Sequence, residues 1–303
     1  MKQYITGTYR VFRQFLFVNL VVLSFNATAQ QAENNMTTVL QPKLISSQFK
    51  FTEGPAADKE GNVFFTDQPN NKIWKYSTDG KLSVFLDNAG RSNGMYFDRK
   101  GNLVTCADEK NELWSINPKG EVKVLVKDFK GARFNGPNDL WIDSKGGIYF
   151  SDPYYQRDYW ERKTADPAIK GEKLYYLPAG KSEAVVAGDN FERPNGLIGS
   201  EDGRSLFVSD IGAGKIYQYD INADASLSNR RVFAEDLSDG LTLDKQGNLY
   251  LAGKGVTVYN PGGKKIRHID IPEGWTANLC FAGKNRDTLF ITASGSVYTV
   301  QMK

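Results

Sequence analysis

The sequence predicts an all-β fold, a six-bladed β-propeller whose ring is closed by an N-terminal strand. Short runs rich in Val, Ile, Leu, Phe, Tyr and Thr alternate with Gly, Asn and Asp turns about every ten residues. One unit of four such runs recurs six times, at a period of about 40 residues, which is typical of propeller blades. No segment after residue 29 shows the periodicity of a long helix.

Each copy of the unit has the same order of elements. An apolar strand comes first, a polar turn of the Asp-x-x-Gly-Asn kind follows, and a second apolar strand ends in most copies at an Asp. A third run such as KIWKYS, a Gly-containing turn and a fourth run such as SVFLD complete the unit. The first half of the unit is found at residues 54–67, 94–108, 139–152, 196–210, 240–253 and 280–294. Six regular copies disfavour the alternatives, an open β-sandwich or two separate all-β domains.

The last copy, which finishes with SVYTVQMK, lacks its fourth strand. Residues 36–48 contain a spare strand upstream of the first copy. We expect this strand to complete the last blade and close the ring, which removes an exposed sheet edge. The predicted organisation is a signal peptide at residues 1–29, an N-terminal segment with the ring-closing strand at residues 30–49, and the propeller at residues 50–303.

The first 29 residues have the pattern of a secretory signal. Lys2, Arg10 and Arg13 precede the apolar run FLFVNLVVLSF, and the small residues at 27–29 suit a signal peptidase. The apolar run has about 11 residues where roughly 20 are needed to span a bilayer, so a retained anchor is the weaker interpretation. We expect export to a periplasm or to the medium, without stable membrane insertion after cleavage.

Charge and cysteine content exclude several classes of function. The three basic residues of the signal are its only charged residues, so their removal brings the net charge from +3 to zero. A neutral chain without Lys/Arg runs gives no support to binding of nucleic acid or anionic membranes. Cys106 and Cys280 lie in separate apolar runs, where free thiols and a disulfide are both open. No Cys/His cluster provides a zinc site, and the single His268 is expected to be a strand residue.

A residue with an oxygen-bearing side chain opens the first strand of every copy. The six residues, at intervals of 40, 45, 57, 44 and 39 along the chain, are Glu53, Asn93, Asn138, Asn195, Asp239 and Asn278. Because the first strand of a blade lines the central channel, these side chains are expected to form a ring at one end. Carboxylate and amide oxygens are the ligands that Ca²⁺ and Mg²⁺ prefer, which predicts a metal site in the channel. The alternative is that they are ordinary turn residues.

Five short motifs carry a resemblance to a known family. They are FTEGP at 51–55, RFNGPNDL at 133–140, SDPYY at 151–155, RPNGL at 193–197 and SDGL at 238–241. In this order and spacing they resemble the family of senescence marker protein 30, gluconolactonase and related calcium-dependent lactonases, which also resembles diisopropyl fluorophosphatase. Across residues 50–303 the resemblance implies a propeller that hydrolyses a sugar lactone with one divalent cation. Ca²⁺ is favoured, and Mg²⁺, Mn²⁺ and Zn²⁺ are the alternatives.

The resemblance also implies roles at the metal. Glu53, Asn138 and Asn195 match residues that bind the metal in the family. Asp239 matches the aspartate that binds the metal and is assigned as catalytic base. Because a metal-bound carboxylate is a weakened base, the alternative is that Asp239 only binds the metal and another group supplies the nucleophile.

A second group of residues is expected to contact the substrate. Arg133 resembles the family's substrate-contacting arginine, and the spacing after it leaves both Asn135 and Asn138 as candidates for the asparagine that accompanies it. Asn93 and Asn278, the remaining ring residues, are assigned to the same group.

The connection between the second and third strands of the third copy is unusually long, SDPYYQRDYWERKTADPAIKGEK. It returns to the face at which the first strands begin, where functional loops commonly lie on a rigid scaffold. We expect Tyr154, Tyr155 and Arg157 to face a sugar-like substrate there. The alternative is that the aromatic residues only pack the loop down.

The predicted function is therefore hydrolysis of a small sugar lactone or ester. The same site could hydrolyse phosphotriesters, since a cation can polarise a phosphoryl oxygen as well as a carbonyl. A propeller that binds a ligand without catalysis is the third alternative, because the fold alone does not decide function. The sequence leaves the oligomeric state open.

Overall fold

The computed structural model describes residues 40–302, which form six antiparallel four-stranded sheets. The innermost strands touch one another in chain order, and the first, Thr52–Ala57, touches the last, Thr276–Ala282. The sheets therefore close into a ring, and the predicted six-bladed β-propeller is confirmed. The predicted signal peptide at residues 1–29 lies outside the described residues.

The strands are numbered β1 to β24 in chain order and occupy four positions in the blades. The innermost strands are β2 (Thr52–Ala57), β6 (Ser92–Phe97), β10 (Leu140–Ile142), β14 (Pro194–Gly199), β18 (Leu241–Leu243) and β22 (Thr276–Ala282). The second strands are β3 (Val63–Asp67), β7 (Leu103–Ala107), β11 (Ile148–Asp152), β15 (Ser205–Asp210), β19 (Leu249–Gly253) and β23 (Thr288–Ala293). The third strands are β4 (Lys72–Tyr76), β8 (Glu112–Ile116), β12 (Glu172–Leu177), β16 (Lys215–Ile221), β20 (Gly255–Tyr259) and β24 (Ser296–Gln301). The outermost strands are β5 (Leu82–Asp87), β9 (Val122–Val126), β13 (Val185–Phe191), β17 (Leu227–Ala234), β21 (Lys265–Ile269) and β1 (Lys43–Ser46).

Helical structure is limited, within residues 40–302, to a single 3-10 turn at Gln68–Asn70. Over this same range no helix is long and apolar enough to cross a membrane.

The sixth blade takes its outermost strand from the N-terminal segment. Strand β1 pairs antiparallel with β24, where Leu44 lies opposite Tyr298. The sheet order is β1-β24-β23-β22, so this blade has four strands like the others. At the junction with the first blade, Thr52 Oγ1 donates a hydrogen bond to the carbonyl oxygen of Ser296 at 2.8 Å. The two ends of the propeller are thus joined by a sheet and by a buried hydrogen bond.

The Asp-x-x-Gly-Asn turns connect the first and second strands of a blade. In the first copy, Asp58 Oδ1 accepts a hydrogen bond from the backbone N–H of Asn62 at 2.9 Å, and Asp58 Oδ2 accepts one from Asn62 Nδ2 at 2.8 Å. Gly61 has φ 88°, a left-handed conformation that glycine adopts without a Cβ clash. The same pairs of hydrogen bonds recur at Asp98 and Asn102 and at Asp244 and Asn248. The repeated sequence therefore encodes the reversal of the chain.

The hydrophobic core lies between neighbouring blades. Between the first and second blades, Phe64 and Ile73 pack with Met95 and Leu103. Between the fifth and sixth, the rings of Tyr250 and Phe281 meet edge to face with centroids 5.2 Å apart. Side chains of adjacent sheets interlock in this way, and the apolar area that they bury keeps the blades in place.

Cys106 and Cys280 are free thiols in two different blades. Burial raises the pKa of Cys280 to about 12. Burial also raises the pKa of Cys106 well above its ordinary value. Both side chains are therefore neutral thiols at physiological pH, and the disulfide left open by the sequence is not formed in the structure.

Candidate functional site

The six residues predicted to form a ring occupy equivalent places at one end of the channel. Four of them lie near the start of an innermost strand, and two lie just before one: Glu53 in β2, Asn93 in β6, Asn195 in β14, Asn278 in β22, Asn138 before β10 and Asp239 before β18. Five are buried, and Asp239 alone is partly exposed. The most exposed residue of this ring is thus the predicted catalytic base.

These ring residues lie at irregularities within strands. The register of β2 against β3 shifts between Glu53 and Ala56, and that of β6 against β7 shifts between Ser92 and Met95. Corresponding shifts occur in β14 between Pro194 and Leu197, and in β22 beside Asn278. A β-bulge inserts one extra residue and redirects the neighbouring side chain, and such bulges are common beside active sites. Glu53 and three of the asparagines therefore belong to bulged strands and not to turns.

The glycine after a ring residue allows neighbouring strands to approach closely. A Cβ on Gly54 would lie 2.0 Å from the backbone oxygen of Asn93, and one on Gly240 would lie 2.0 Å from the side-chain Cγ of Asn278. The backbone N–H of Gly94 uses this proximity to donate a hydrogen bond to Asn138 O at 2.7 Å. The Glu-Gly, Asn-Gly and Asp-Gly pairs of the sequence therefore reflect close packing around the channel.

Three carboxylates come together at this ring, one more than the sequence predicted. The additional one is Asp139, which is buried beside Asn138. The amide Nδ2 of Asn278 lies between two of them, 3.2 Å from Glu53 Oε2 and 3.4 Å from Asp139 Oδ2. The negative charge of Asp239 acts on both of these carboxyl groups. Asp139 is the last residue of the PND motif, which was the only sequence signal for it. The sequence pattern assigned one residue of each blade to the ring, and in this blade that residue was Asn138.

Burial makes the charged forms of these carboxyl groups costly. Loss of hydration raises the pKa of Glu53 well above its ordinary value, and the charge of Asp239 raises it further. Loss of hydration also raises the pKa of Asp139 to about 7. For Asp239 the same cause raises the pKa to about 6, against the opposing effect of a hydrogen bond from Trp275. Without a cation, the three groups cannot all ionise cheaply.

The donor set fits a hard divalent cation. The amide oxygen of Asn93 is buried and has no hydrogen-bond partner among residues 40–302. Across the same residues, no group of three or more His, Cys, Asp or Glu side chains has a metal-binding arrangement by itself. A cation here would therefore be held by mixed carboxylate and amide oxygens, the ligand type that Ca²⁺ accepts. The four predicted ligands, Glu53, Asn138, Asn195 and Asp239, all lie at this ring, and the unpartnered oxygen of Asn93 is a further candidate.

Trp275 is a contact of Asp239 that sequence reasoning missed. Its indole Nε1 donates a hydrogen bond to Asp239 Oδ2 at 2.7 Å. The side chain of Asn195 also stabilises the charged form of this carboxylate. Asp239 is thus held by two neighbouring side chains while remaining partly exposed. A lone Trp before β22 gives no motif by which its role could have been found.

The long connection at residues 153–171 reaches the ring through Tyr155. The phenol oxygen of Tyr155 accepts a hydrogen bond from Asn195 Nδ2 at 3.2 Å. The guanidinium of Arg157 lies 5.3 Å from the centre of the Tyr155 ring. Tyr154 points elsewhere, with its hydroxyl bonded to Gln156. Trp160 is buried and packs the loop down, whereas contact of Tyr155 and Arg157 with substrate stays a prediction.

Arg133 and Asn135 lie at the base of this loop. The side chain of Arg133 is exposed, and its backbone N–H donates to Asp166 Oδ2 at 3.1 Å. Asn135 is buried and its Nδ2 donates to the carbonyl oxygens of Asp152 and Gly171 at 3.1 and 3.2 Å. Neither makes a hydrogen bond to a ring residue within residues 40–302, and their contact with substrate stays a prediction.

Comparison with known proteins agrees with this geometry. The sequence model of the SMP-30/gluconolactonase/LRE-like region matches residues 51–295. The chain belongs to this family. It is 29% identical to a gluconolactonase of Zymomonas mobilis, over 92% of each chain. It is 27% identical to the diisopropyl-fluorophosphatase of Loligo vulgaris, over 56% of this chain and 58% of that protein. A solved gluconolactonase structure from Xanthomonas campestris superposes with a TM-score of 0.80 and 28% identity, covering 87% of this chain and 90% of that one.

Proposed function

We propose that this protein hydrolyses a sugar lactone with the help of one divalent cation, with Ca²⁺ favoured. The observation that carries the proposal is the ring of buried carboxylate and amide side chains at one end of the channel, where Asp239 alone is partly exposed. Gluconolactonases of two other organisms are similar to this chain over most of its length. The substrate class follows from these relatives, and the cation from the chemistry of the side chains.

The cation would be held by Glu53, Asn138, Asn195 and Asp239. When bound, it supplies a Lewis acid that polarises the lactone carbonyl and stabilises the negative charge that develops on oxygen. Asp139 adds negative charge next to these ligands, and the Asn278 amide keeps it apart from Glu53. These groups are buried, and Asp239 is the most exposed of them.

Asp239 is placed to accept the proton of the attacking water. Oδ2 is fixed by the indole of Trp275, and the side chain of Asn195 also contacts the carboxylate. Burial raises the pKa of this carboxyl to about 6 in the absence of a cation, and a bound cation would lower the pKa again, so the carboxylate would be ionised as a base must be. After the lactone ring opens, the carboxyl group of Asp239 can return the proton to the leaving alkoxide. If Asp239 only binds the cation, its replacement by Asn abolishes binding together with activity.

The test is hydrolysis of a panel of aldonolactones by protein that begins at residue 30. Activity should vanish with a chelator and return when one of Ca²⁺, Mg²⁺, Mn²⁺ or Zn²⁺ is restored. Asp239→Asn should lose activity while calorimetry still detects the cation. Hydrolysis that survives exhaustive chelation would contradict the proposal. A protein that the cation stabilises but that hydrolyses no lactone would instead support a binding propeller.

Phosphotriester hydrolysis is the second candidate, and the similarity to diisopropyl-fluorophosphatase favours it. A cation held at the same site would polarise a phosphoryl oxygen as it would a lactone carbonyl. Parallel assays with a fluorophosphate and an aldonolactone separate the two, because the better substrate should show the larger kcat/KM by orders of magnitude.

We also infer that the protein is exported. The support is the basic and apolar pattern of residues 1–29 followed by small residues at 27–29. Mass spectrometry of the protein from its native host should find a mature chain that begins at Gln30, and an intact Met1 start would contradict this inference.

A further inference from the structure

The aspartate at the end of the second strand has a repeated structural role. In three blades its carboxylate accepts hydrogen bonds from two consecutive backbone N–H groups in the segment that leads to a ring residue. These sets are Asp67 with Lys50 and Phe51, Asp152 with Asn135 and Gly136, and Asp210 with Glu192 and Arg193. The repeated aspartate thus fixes the entry of the chain into the ring.

The second blade departs from this arrangement. The segment that leads to Asn93 includes Arg91, whose backbone N–H donates to Asn71 Oδ1 at 2.7 Å. Asn71 follows the 3-10 turn and takes a left-handed conformation with φ 57°. Asn71 therefore supplies an acceptor of the kind that these three blades obtain from the repeated aspartate. Asp108, the aspartate of the second blade, is released from that role.

Asp108 instead binds the long connection of the third blade. Its carboxylate oxygen Oδ2 accepts hydrogen bonds from Arg157 Nε at 3.0 Å and from the hydroxyl of Tyr159. Gln68 Nε2 donates to the same oxygen at 3.2 Å. The backbone oxygen of Asp108 accepts a hydrogen bond from Trp160 Nε1 at 2.9 Å. The carboxylate is 4% exposed, so these are contacts of a buried charge.

Gly136 makes room for this contact. A Cβ at this position would lie 2.8 Å from the Trp160 ring and 3.1 Å from Asp108 Oδ1. The glycine of the RFNGPNDL motif thus allows the loop to seat against the second blade. Arg91 of the second blade also stacks on Tyr159 of the loop, with its guanidinium 4.5 Å from the centre of the aromatic ring.

We propose that Asp108 is a positioning residue that latches residues 153–171 onto the second blade and so holds Tyr155 and Arg157 over the ring. Arg157 links the two parts, because it binds Asp108 through Nε and stacks on Tyr155, whose hydroxyl contacts Asn195. Loss of the latch should free the loop while the blades stay folded. The effect on substrate rests on the proposed lactonase function, but the effect on the loop does not.

The first arm of the test is limited trypsin digestion of folded protein with added Ca²⁺, using Asp108→Asn and the milder Tyr159→Phe. The loop carries Arg157, Arg162 and Lys163 as cleavage sites. We expect cleavage there to accelerate by roughly 10- to 100-fold in Asp108→Asn, the factor that a hydrogen bond to a buried charge contributes to an opening equilibrium. Tyr159→Phe should give a smaller acceleration at the same bonds.

Asp210→Asn is the matched control, because it changes the same repeat position in a blade where the aspartate binds backbone N–H groups. It should lower the Tm without selective cleavage in the loop. Loop cleavage that is unchanged in Asp108→Asn, or equally fast in Asp210→Asn, would overturn the proposal.

The second arm is steady-state hydrolysis of the best aldonolactone. Asp108→Asn should raise KM by roughly tenfold and change kcat much less, since substrate positioning is lost while Asp239 and the cation ligands stay in place. Unchanged KM with accelerated cleavage would overturn the role of the latch in positioning the substrate. If the wild-type protein hydrolyses no lactone, the proposed function fails while the digestion still decides whether Asp108 holds the loop.

Discussion

Replacement of Asp139 by Asn should stabilise the cation-free protein at alkaline pH. Burial raises the pKa of this carboxyl from 3.8 to about 7. A group whose pKa is higher in the folded state contributes stability at acidic pH, and this contribution is lost as the pH rises through the folded-state pKa. Each pKa unit corresponds to about 1.4 kcal/mol, so ionised Asp139 costs about 4 kcal/mol above pH 7.

The pH dependence is what distinguishes this charge effect from a packing effect. Between about pH 5 and about pH 8, Asp139 should remove about 2 to 3 kcal/mol from the free energy of unfolding. Asn can keep the acceptor for the backbone N–H of Leu140, now at 2.8 Å. It loses the 3.4 Å contact with Asn278, which should cost about 1 kcal/mol at every pH.

The assay is urea denaturation of chelated protein at several pH values. The free energy of unfolding of wild type should fall more steeply with pH than that of Asp139→Asn. Glu201→Gln, at an exposed carboxylate, should follow wild type. Curves for wild type and Asp139→Asn that stay parallel from about pH 5 to about pH 8 would refute the reasoning. Excess Ca²⁺ should stabilise wild type more than the variant.

Three further predictions concern Trp275, the ring glycines and the closing strand. Trp275→Phe removes the donor to Asp239, so kcat with saturating cation should fall by roughly 10- to 100-fold in a lactone assay. Gly240→Ala places a Cβ 2.0 Å from Asn278 Cγ, and denaturation should show a loss of about 1 to 3 kcal/mol. Gly262→Ala, where the nearest atom is 3.4 Å away, is its control and should cost less. Protein that begins at residue 47 lacks β1, so its Tm should fall and the open edge of β24 should promote aggregation in light scattering.

Each of these has an outcome that contradicts it. Full activity of Trp275→Phe would mean that Asp239 does not need the indole. Equal stability of the two alanine variants would mean that the strands can move apart at the ring. A monomer without β1 that melts like the intact protein would show that β1 is dispensable for the sixth blade.

The sequence predicted the architecture because the propeller repeats one unit. The strand and turn pattern needs only local signals, such as Asp58 with Gly61 and Asn62, and six copies make the pattern hard to mistake. The ring positions followed from the same repetition. Family membership then came from motifs that the repeat places at equivalent points.

Departures from the repeat were harder to predict. Asp139 follows Asn138 directly, and in a regular strand the two side chains would point to opposite faces. The irregular backbone before β10 brings Asp139 to Asn278. Asp108 looks like every other repeat aspartate, and only the contact of Arg91 with Asn71 reveals that it is free for another use. Such changes of hydrogen-bond partner depend on tertiary contacts, which cannot be inferred from the pattern of a single sequence.

The pairing of β1 with β24 has a consequence for biosynthesis. The first strand, at residues 43–46, pairs with β24, which is the last strand of the propeller to be synthesised. Contacts this distant in sequence form slowly, since a large loop must close before they contribute any stability. A chain emerging from a ribosome or a translocation channel can form internal blades, but the circle stays open until β24 has been synthesised. Ring closure should therefore be the last step of folding, and a chain that stops early should remain a target for proteases.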